Sequence, residues 1–100
     1  MPLTAERKKA LRTLGHNLKP VVTVAGKGLS EGVMEELARA LEDHELIKVK
    51  LMIADRELRH QVIGEMCEKS GAELVQEIGK IALVYRAAST PDARLSNLLR

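Results

Sequence analysis

The cysteine and histidine side chains, the readiest candidates for catalysis at neutral pH, are few in this 100-residue sequence: Cys67, His16, His44 and His60. General acid–base or nucleophilic catalysis needs such a group with a base in reach, or paired carboxylates, or a metal cage. No two histidines stand at H-x-x-x-H spacing, and a lone cysteine supplies neither a disulfide nor the cysteine pair of a minimal zinc site. Packing or helix capping accounts for His16, just before a strand-like run, and for His44, at the end of an acidic helical segment. Cys67, beside Met66, reads as a small core residue. The expectation is a non-enzymatic chain with no cofactor and no metal, suited to a reducing cytoplasm.

The pattern that does point to chemistry is non-covalent. Gly26-Lys27-Gly28 follows the β-branched run Val21-Val22-Thr23-Val24-Ala25 and precedes Ser30, a helix N-cap candidate. Glycines after a strand leave backbone N–H groups exposed, and the positive end of the next helix is aimed at the same place, which suits phosphate. The segment has neither the Walker A length nor the G-x-G-x-x-G pattern. Lys27 lies in this loop and Lys19 just before the strand. Lys48 and Lys50 alternate with Ile47, Val49, Leu51 and Ile53, so both leave the sheet opposite its apolar face. Each feature also has a plain structural reading: a glycine-rich connector, lysines that keep a sheet face soluble, a solvated helix face.

Charge is unevenly spread. Residues 1–30 carry Arg7, Lys8, Lys9, Arg12, Lys19 and Lys27 against Glu6, a balance of +5. Residues 31–45 carry six acidic side chains against Arg39, a balance of −5, although the whole chain is only +2. Local fields decide whether a polyanion is attracted, so a nucleic acid is expected to approach the basic third and the lysine face, leaving the acidic helix in water. With one Tyr and no Phe or Trp there is no row of rings on which bases could stack, and the core must be aliphatic.

The elements that must position these residues follow from the patterning. Thr4 caps a first helix over about residues 5–14 carrying Arg7, Lys8 and Arg12, which Gly15 is expected to end in the left-handed conformation. A strand at 21–25 leads to a second helix with Val33, Leu37, Ala40 and Leu41 on one face. The clean alternation at 46–53 is the next strand, and Asp55 caps a third helix with apolar face Leu58, Val62, Ile63 and Met66, ended by Gly71. Residues 74–78 and 81–86 form a hairpin across Gly79-Lys80, a two-residue Gly-X turn. This α-β-α-β-α-β-β order predicts an α/β domain over residues 1–87, with a four-stranded mixed sheet packed against helices: the first two strands parallel, the hairpin antiparallel. Residues 88–100 read as a tail, either a short helix carrying Leu95, Leu98 and Leu99 or a loosely ordered segment. The charged segment after Met1 and the absence of a long apolar run predict neither export nor membrane insertion.

Four segments, LRTLGHNLKPVV (Leu11 to Val22), GLSEGV (Gly28 to Val33), HELIKVK (His44 to Lys50) and GAELVQEIGKIALVYR (Gly71 to Arg86), carry a resemblance across roughly residues 5–87. In these segments the chain resembles the YhbY-like CRM-domain family, the chloroplast RNA splicing and ribosome maturation domain. The resemblance implies a compact α/β fold similar to the C-terminal domain of bacterial translation initiation factor three. It also implies RNA binding and, for small stand-alone members, association with precursors of the large ribosomal subunit. It further implies a G-x-x-G loop likened to the backbone clamp of KH domains. Here that loop is Ala25-Gly26-Lys27-Gly28, with alanine in place of the first glycine. Alanine approaches phosphate less closely and takes positive φ at higher cost. The expected partner is RNA, met by a monomer through Ala25, Gly26, Lys27, Gly28, Lys19, Arg7, Lys8, Arg12, Lys48 and Lys50. The competing reading is a protein-interaction module on ribosomal particles, in which the acidic helix meets basic ribosomal proteins.

Overall fold

The computed structural model describes residues 3–25 and 28–98. The elements are α1 (Ala5–Gly15), β1 (Pro20–Val24), α2 (Glu31–His44), β2 (Leu46–Leu51), α3 (Arg56–Ser70), β3 (Glu73–Ile78) and β4 (Ile81–Tyr85), in the expected order. Thr4, Ser30 and Asp55 cap the three helices, their side-chain oxygens accepting from the backbone N–H of Arg7, Val33 and Leu58. Each satisfies a donor that a helix start leaves free. Gly71 closes α3 at φ 75°, and Gly79 holds φ 56° at the first central position of the hairpin turn, the sign that a Gly-X turn requires.

β1 and β2 pair in parallel through the α2 crossover, β2 and β4 antiparallel, and β3 and β4 as the antiparallel hairpin, giving the strand order β1-β2-β4-β3. The period of two in β2 splits the sheet into unlike faces. On one, Ile47, Val49 and Leu51, with Val22, Val24, Ala82 and Val84, pack against Leu37 and Leu41 of α2 and Ile63 and Met66 of α3. Each of the Val, Leu, Ile and Met side chains among them contributes about 1.5–3 kcal/mol by leaving water. On the other, α1 covers only one end, laying Leu11 against Leu46, Val75 and Leu83. The rest of that face, with Lys50 and Ile78, is exposed.

Two local expectations differ from what is observed, and one backbone feature was not expected at all. Gly15 does not end α1 in the left-handed region; it is the last helical residue, buried, and His16 caps the helix at φ −53°. A Cβ at Gly15 would lie 2.7 and 2.8 Å from the two methyl carbons of Leu83, so glycine here lets helix and sheet approach closely without displacing the Leu83 side chain. Leu58 is not part of the α3 core face: it is half-exposed, and Arg59 is buried instead, its guanidinium donating to the carbonyls of Ile53 (2.8 Å) and Ala54 (3.4 Å) in the β2–α3 connector. The left-handed residue that sequence does not announce is Glu45, at φ 63° directly after α2. Its N–H donates to Leu41 O, its carbonyl accepts from Arg86, and its buried carboxylate accepts from Ser96 Oγ and the Ala88 N–H, both at 2.8 Å. Four hydrogen bonds thus hold a conformation that is costly for a residue with a Cβ.

Those bonds also fasten the segment after β4. Residues 88–98 form turns and no helix, with Ser89 and Thr90 bonded to the Glu42 carboxylate and the Asn97 amide donating to Leu46 O at 2.6 Å. Leu98 packs with the α1 cluster; Leu99 lies outside the described residues.

Candidate nucleic-acid interface

Because β1 and β2 are parallel, their carboxyl ends share one edge of the sheet, and α2 and α3 both begin there. Met52 N–H donates to Val24 O at 2.8 Å and Leu51 N–H to Lys80 O at 2.7 Å, which draws the hairpin tip to the same edge. In open α/β sheets the crevice outside such carboxyl ends is the usual ligand position. The loop expected to grip phosphate starts here. Ala25 is exposed just beyond β1, and Gly28 sits at φ 79° with open space where a Cβ would be, so its conformation alone calls for glycine. The Gly28 N–H donates to Ala25 O at 2.9 Å, closing a turn. That amide is engaged within the loop, so Gly28 contributes backbone shape and not the free donor expected of it. Gly26 and Lys27 lie outside the described residues.

The open sheet face is ordered by its register. Lys48 of β2 stands opposite Leu83 of β4, which stands opposite Gln76 of β3; one row further, Thr23, Lys50, Ile81 and Ile78 cross all four strands. Lys48 Nζ donates to His16 O at 3.1 Å, placing its charge at the C-terminal end of α1, where the helix dipole favours a cation. Arg7 stands with its guanidinium 5.7 Å from the centre of the Tyr85 ring, at the covered end of the face. At about 100° of helical rotation per residue, the buried Leu11 and Gly15 lie between Arg7 and the pair Lys8 and Arg12, so that pair is on the flank of α1 away from Arg7. Lys19 is exposed at the start of β1, beside Leu18 and Val21. It is roughly 20 Å along the extended chain from Ala25 and does not join the loop.

The structure therefore brings Lys48 and Lys50 to one face, puts Arg7 and Lys19 at its margins and Lys8 and Arg12 on the other flank of α1, and sets Ala25 and Gly28, the described ends of the loop, at the carboxyl edge. It adds residues that reading the sequence did not single out. Lys80 is exposed at the hairpin tip, next to the Lys50–Ile81 pair; the Gly-X turn that marks the hairpin was its only signal. His16, Gln76 and Ile78 join Lys48, Ile81 and Leu83 around a shallow cavity of about 240 Å³. Glu31, Glu35 and Glu36 are exposed on α2, which packs against the other side of the sheet, so the charge asymmetry in sequence is also one in space.

Nothing comparable gathers around the groups able to do covalent chemistry. Burial, reinforced by the Glu73 carboxylate, pushes the Cys67 thiol up to about 11, which keeps it protonated and unreactive near neutral pH. His60 Nδ1 lies 3.0 Å from Glu77 Oε1, a pair at the surface. Among the described residues no three His, Cys, Asp or Glu side chains are placed to hold a metal ion, and no helix is long and apolar enough to cross a membrane.

Comparison with known proteins points the same way as this geometry. The profile of the CRS1 / YhbY (CRM) domain matches residues 3–86. A protein of Pseudomonas aeruginosa named a probable RNA-binding protein is 55% identical over 100 residues, covering all of this chain and 96% of its own length. A Haemophilus influenzae protein named an RNA-binding protein is 42% identical over 93 residues, covering 93% of this chain and 94% of its own. The solution structure of a Staphylococcus aureus protein, described as a candidate RNA binder, superposes with a TM-score of 0.79 at 30% identity, over 89% of this chain and 93% of that one.

Proposed function

The chain belongs to the CRS1 / YhbY (CRM) domain family, and on that premise we propose that it is a non-enzymatic RNA-binding protein acting on precursors of the large ribosomal subunit, as a cytoplasmic monomer. The observation that carries this reading is the open sheet face. Lysines from β2 and the hairpin tip converge on rows that contain no acidic side chain among the described residues. Such a face binds through phosphate and shape, since ammonium groups meet the backbone without reading base edges. The segment bounded by Ala25 and Gly28 is the proposed second contact, at the carboxyl edge. The names of the two relatives, a probable RNA-binding protein and an RNA-binding protein, support the same partner class.

The exposed acidic flank of α2 favours a second reading, docking to basic ribosomal proteins. Sedimentation with large-subunit precursor particles, measured beside affinity for naked ribosomal RNA, separates the two. Lys48→Glu with Lys50→Glu is expected to lose both, and Glu35→Lys with Glu36→Lys to keep both. If the acidic-flank variant loses the particle while RNA affinity holds, the protein-docking reading replaces the RNA one.

A further inference from the structure

The uncovered half of the sheet carries more than charge. Ile78, at the end of β3, is 64% exposed, more than any other large aliphatic side chain among the described residues. It stands in a row with Ile81 and Lys50, and the neighbouring row sets Gln76, Leu83 and Lys48 side by side. His16, Lys48, Gln76, Ile78, Ile81 and Leu83 line a cavity of about 240 Å³, which has an aliphatic floor, Lys48 on the β2 side and a neutral amide on the β3 side, with Lys50 in the adjoining row. From β2 to β3 the floor spans two strand spacings, about 10 Å, and the two rows are about 7 Å apart.

The carboxylates of β3 are turned elsewhere. Glu73 Oε2 accepts the Leu3 N–H at the covered end of the face, and Glu77 Oε1 is paired with His60 of α3, on the opposite face. A protein segment would gain from the aliphatic floor but would have to bring its own negative charge to match Lys48, Lys50 and Lys80. A nucleotide brings both in one unit: a flat base with apolar faces, a hydrogen-bonding edge, and a phosphate.

We propose that this groove holds one unpaired base of single-stranded RNA, its face against Ile78 and Ile81, its edge at the Gln76 amide, and its phosphates at Lys48 and Lys50. The inference rests on the RNA-binding reading and deepens it, since it adds a base contact to a surface otherwise limited to phosphate. Gln76 offers both a donor and an acceptor, so the edge contact discriminates among bases. The aliphatic floor takes the role that aromatic rings play in other single-strand binders, with a weaker grip per base.

The test uses the full chain and two 12-nucleotide single-stranded probes of equal charge, one an oligouridine and one an abasic ribose-phosphate chain, plus an RNA duplex of the same length. The wild-type chain is expected to bind oligouridine roughly five- to tenfold more tightly than the abasic probe, a smaller margin than an aromatic platform gives. Ile78→Ser should abolish that margin while leaving the salt dependence and thermal unfolding unchanged, because the side chain is exposed. Gln76→Ala should flatten differences among oligouridine, oligoadenosine and oligocytidine. Equal binding of the base-bearing and abasic probes by the wild type overturns the base site and leaves the RNA reading standing. Failure to bind any probe or the duplex overturns both. If Ile78→Ser keeps every RNA affinity but abolishes sedimentation with ribosomal particles, the groove serves a protein segment and the inference is wrong.

Discussion

Removing the three ammonium groups of the open face, by Lys48→Ala, Lys50→Ala and Lys80→Ala together, gives a quantitative prediction. Lys48 and Lys50 are two residues apart on one strand, so their Cα atoms are about 6.7 Å apart, within the Debye length of about 8 Å at physiological salt. They act on a phosphate chain as one field. Each lysine that neutralises a phosphate contributes roughly 0.7–0.9 to the log–log slope of affinity against salt, the lower figure for single strands. Three contacts contribute about 2.1–2.7. Between 50 and 200 mM salt, a fourfold rise, that part of the slope alone weakens wild-type binding by roughly 20- to 40-fold, and the triple variant should lack this component. Fluorescence anisotropy with a structured ribosomal RNA fragment at four salt concentrations measures it. Lys50 and Lys80 are exposed, so stability should move by no more than about 0.5 kcal/mol each. Lys48 also gives up its bond to His16 O, at about 1 kcal/mol. Lys69→Ala serves as control, since that lysine pairs with Glu65 on α3 at 2.9 Å. A folded triple variant with the wild-type slope would refute the assignment of RNA to this face.

Gly15→Ala should destabilise the fold by about 1–3 kcal/mol through overpacking against Leu83, and the loss should shrink in a Leu83→Ala background, a coupling that a thermal double-mutant cycle reads directly. Gly28→Asn and Gly28→Asp both tolerate φ 79° better than other residues, so they should unfold alike; only the aspartate should weaken RNA binding, and equal affinities for the two would reduce the loop to a connector. The folded chain holds the Cys67 proton up to about 11 whereas an ordinary thiol releases it near 9.0, so between these values the unfolded state binds fewer protons and stability should fall as pH rises. Cys67→Ala should lack that component in pH-dependent denaturation, and the native thiol should resist alkylation at neutral pH.

What the sequence made legible is whatever depends on neighbours along the chain. Thr4, Ser30 and Asp55 cap the helices they precede, Gly71 and Gly79 take the positive φ that their turns need, and the alternation of β2 separates Ile47, Val49 and Leu51 from Lys48 and Lys50. The failures share a cause in contacts between distant residues. Gly15 looked like a helix terminator because glycine often is one, yet its role is set by Leu83, 68 positions away. Leu58 fits the apolar spacing of α3, but the connector carbonyls of Ile53 and Ala54 needed donors, and Arg59 took the buried place to supply them. Glu45 carries no local signal for positive φ; Ala88 and Ser96 hold it there from more than forty residues downstream.

The proposed interface follows the same division, and one topological step accounts for most of it. Lys48 and Lys50 are visible from alternation, and Arg7, Lys8 and Arg12 from charge. Their relation to Gln76, Ile78 and Lys80 is not, because it depends on β4 entering the sheet between β2 and β3. Had β3 paired with β2 directly, Lys48 would adjoin β3 and Leu83 would move to an edge, leaving no aliphatic floor between the lysines and the Gln76 amide. With β4 inserted, Ile81 and the edge of Leu83 form that floor, the Leu51–Lys80 bond draws the hairpin tip to the loop edge, and α1, which buries most of Leu83, leaves the row of Lys50, Ile81 and Ile78 uncovered. A surface that looked in sequence like scattered cations is, in the folded chain, a graded strip. Charge lies along β2, an apolar floor along β4 and a neutral hydrogen-bonding edge along β3, in the order in which a nucleotide presents its phosphate, base face and base edge.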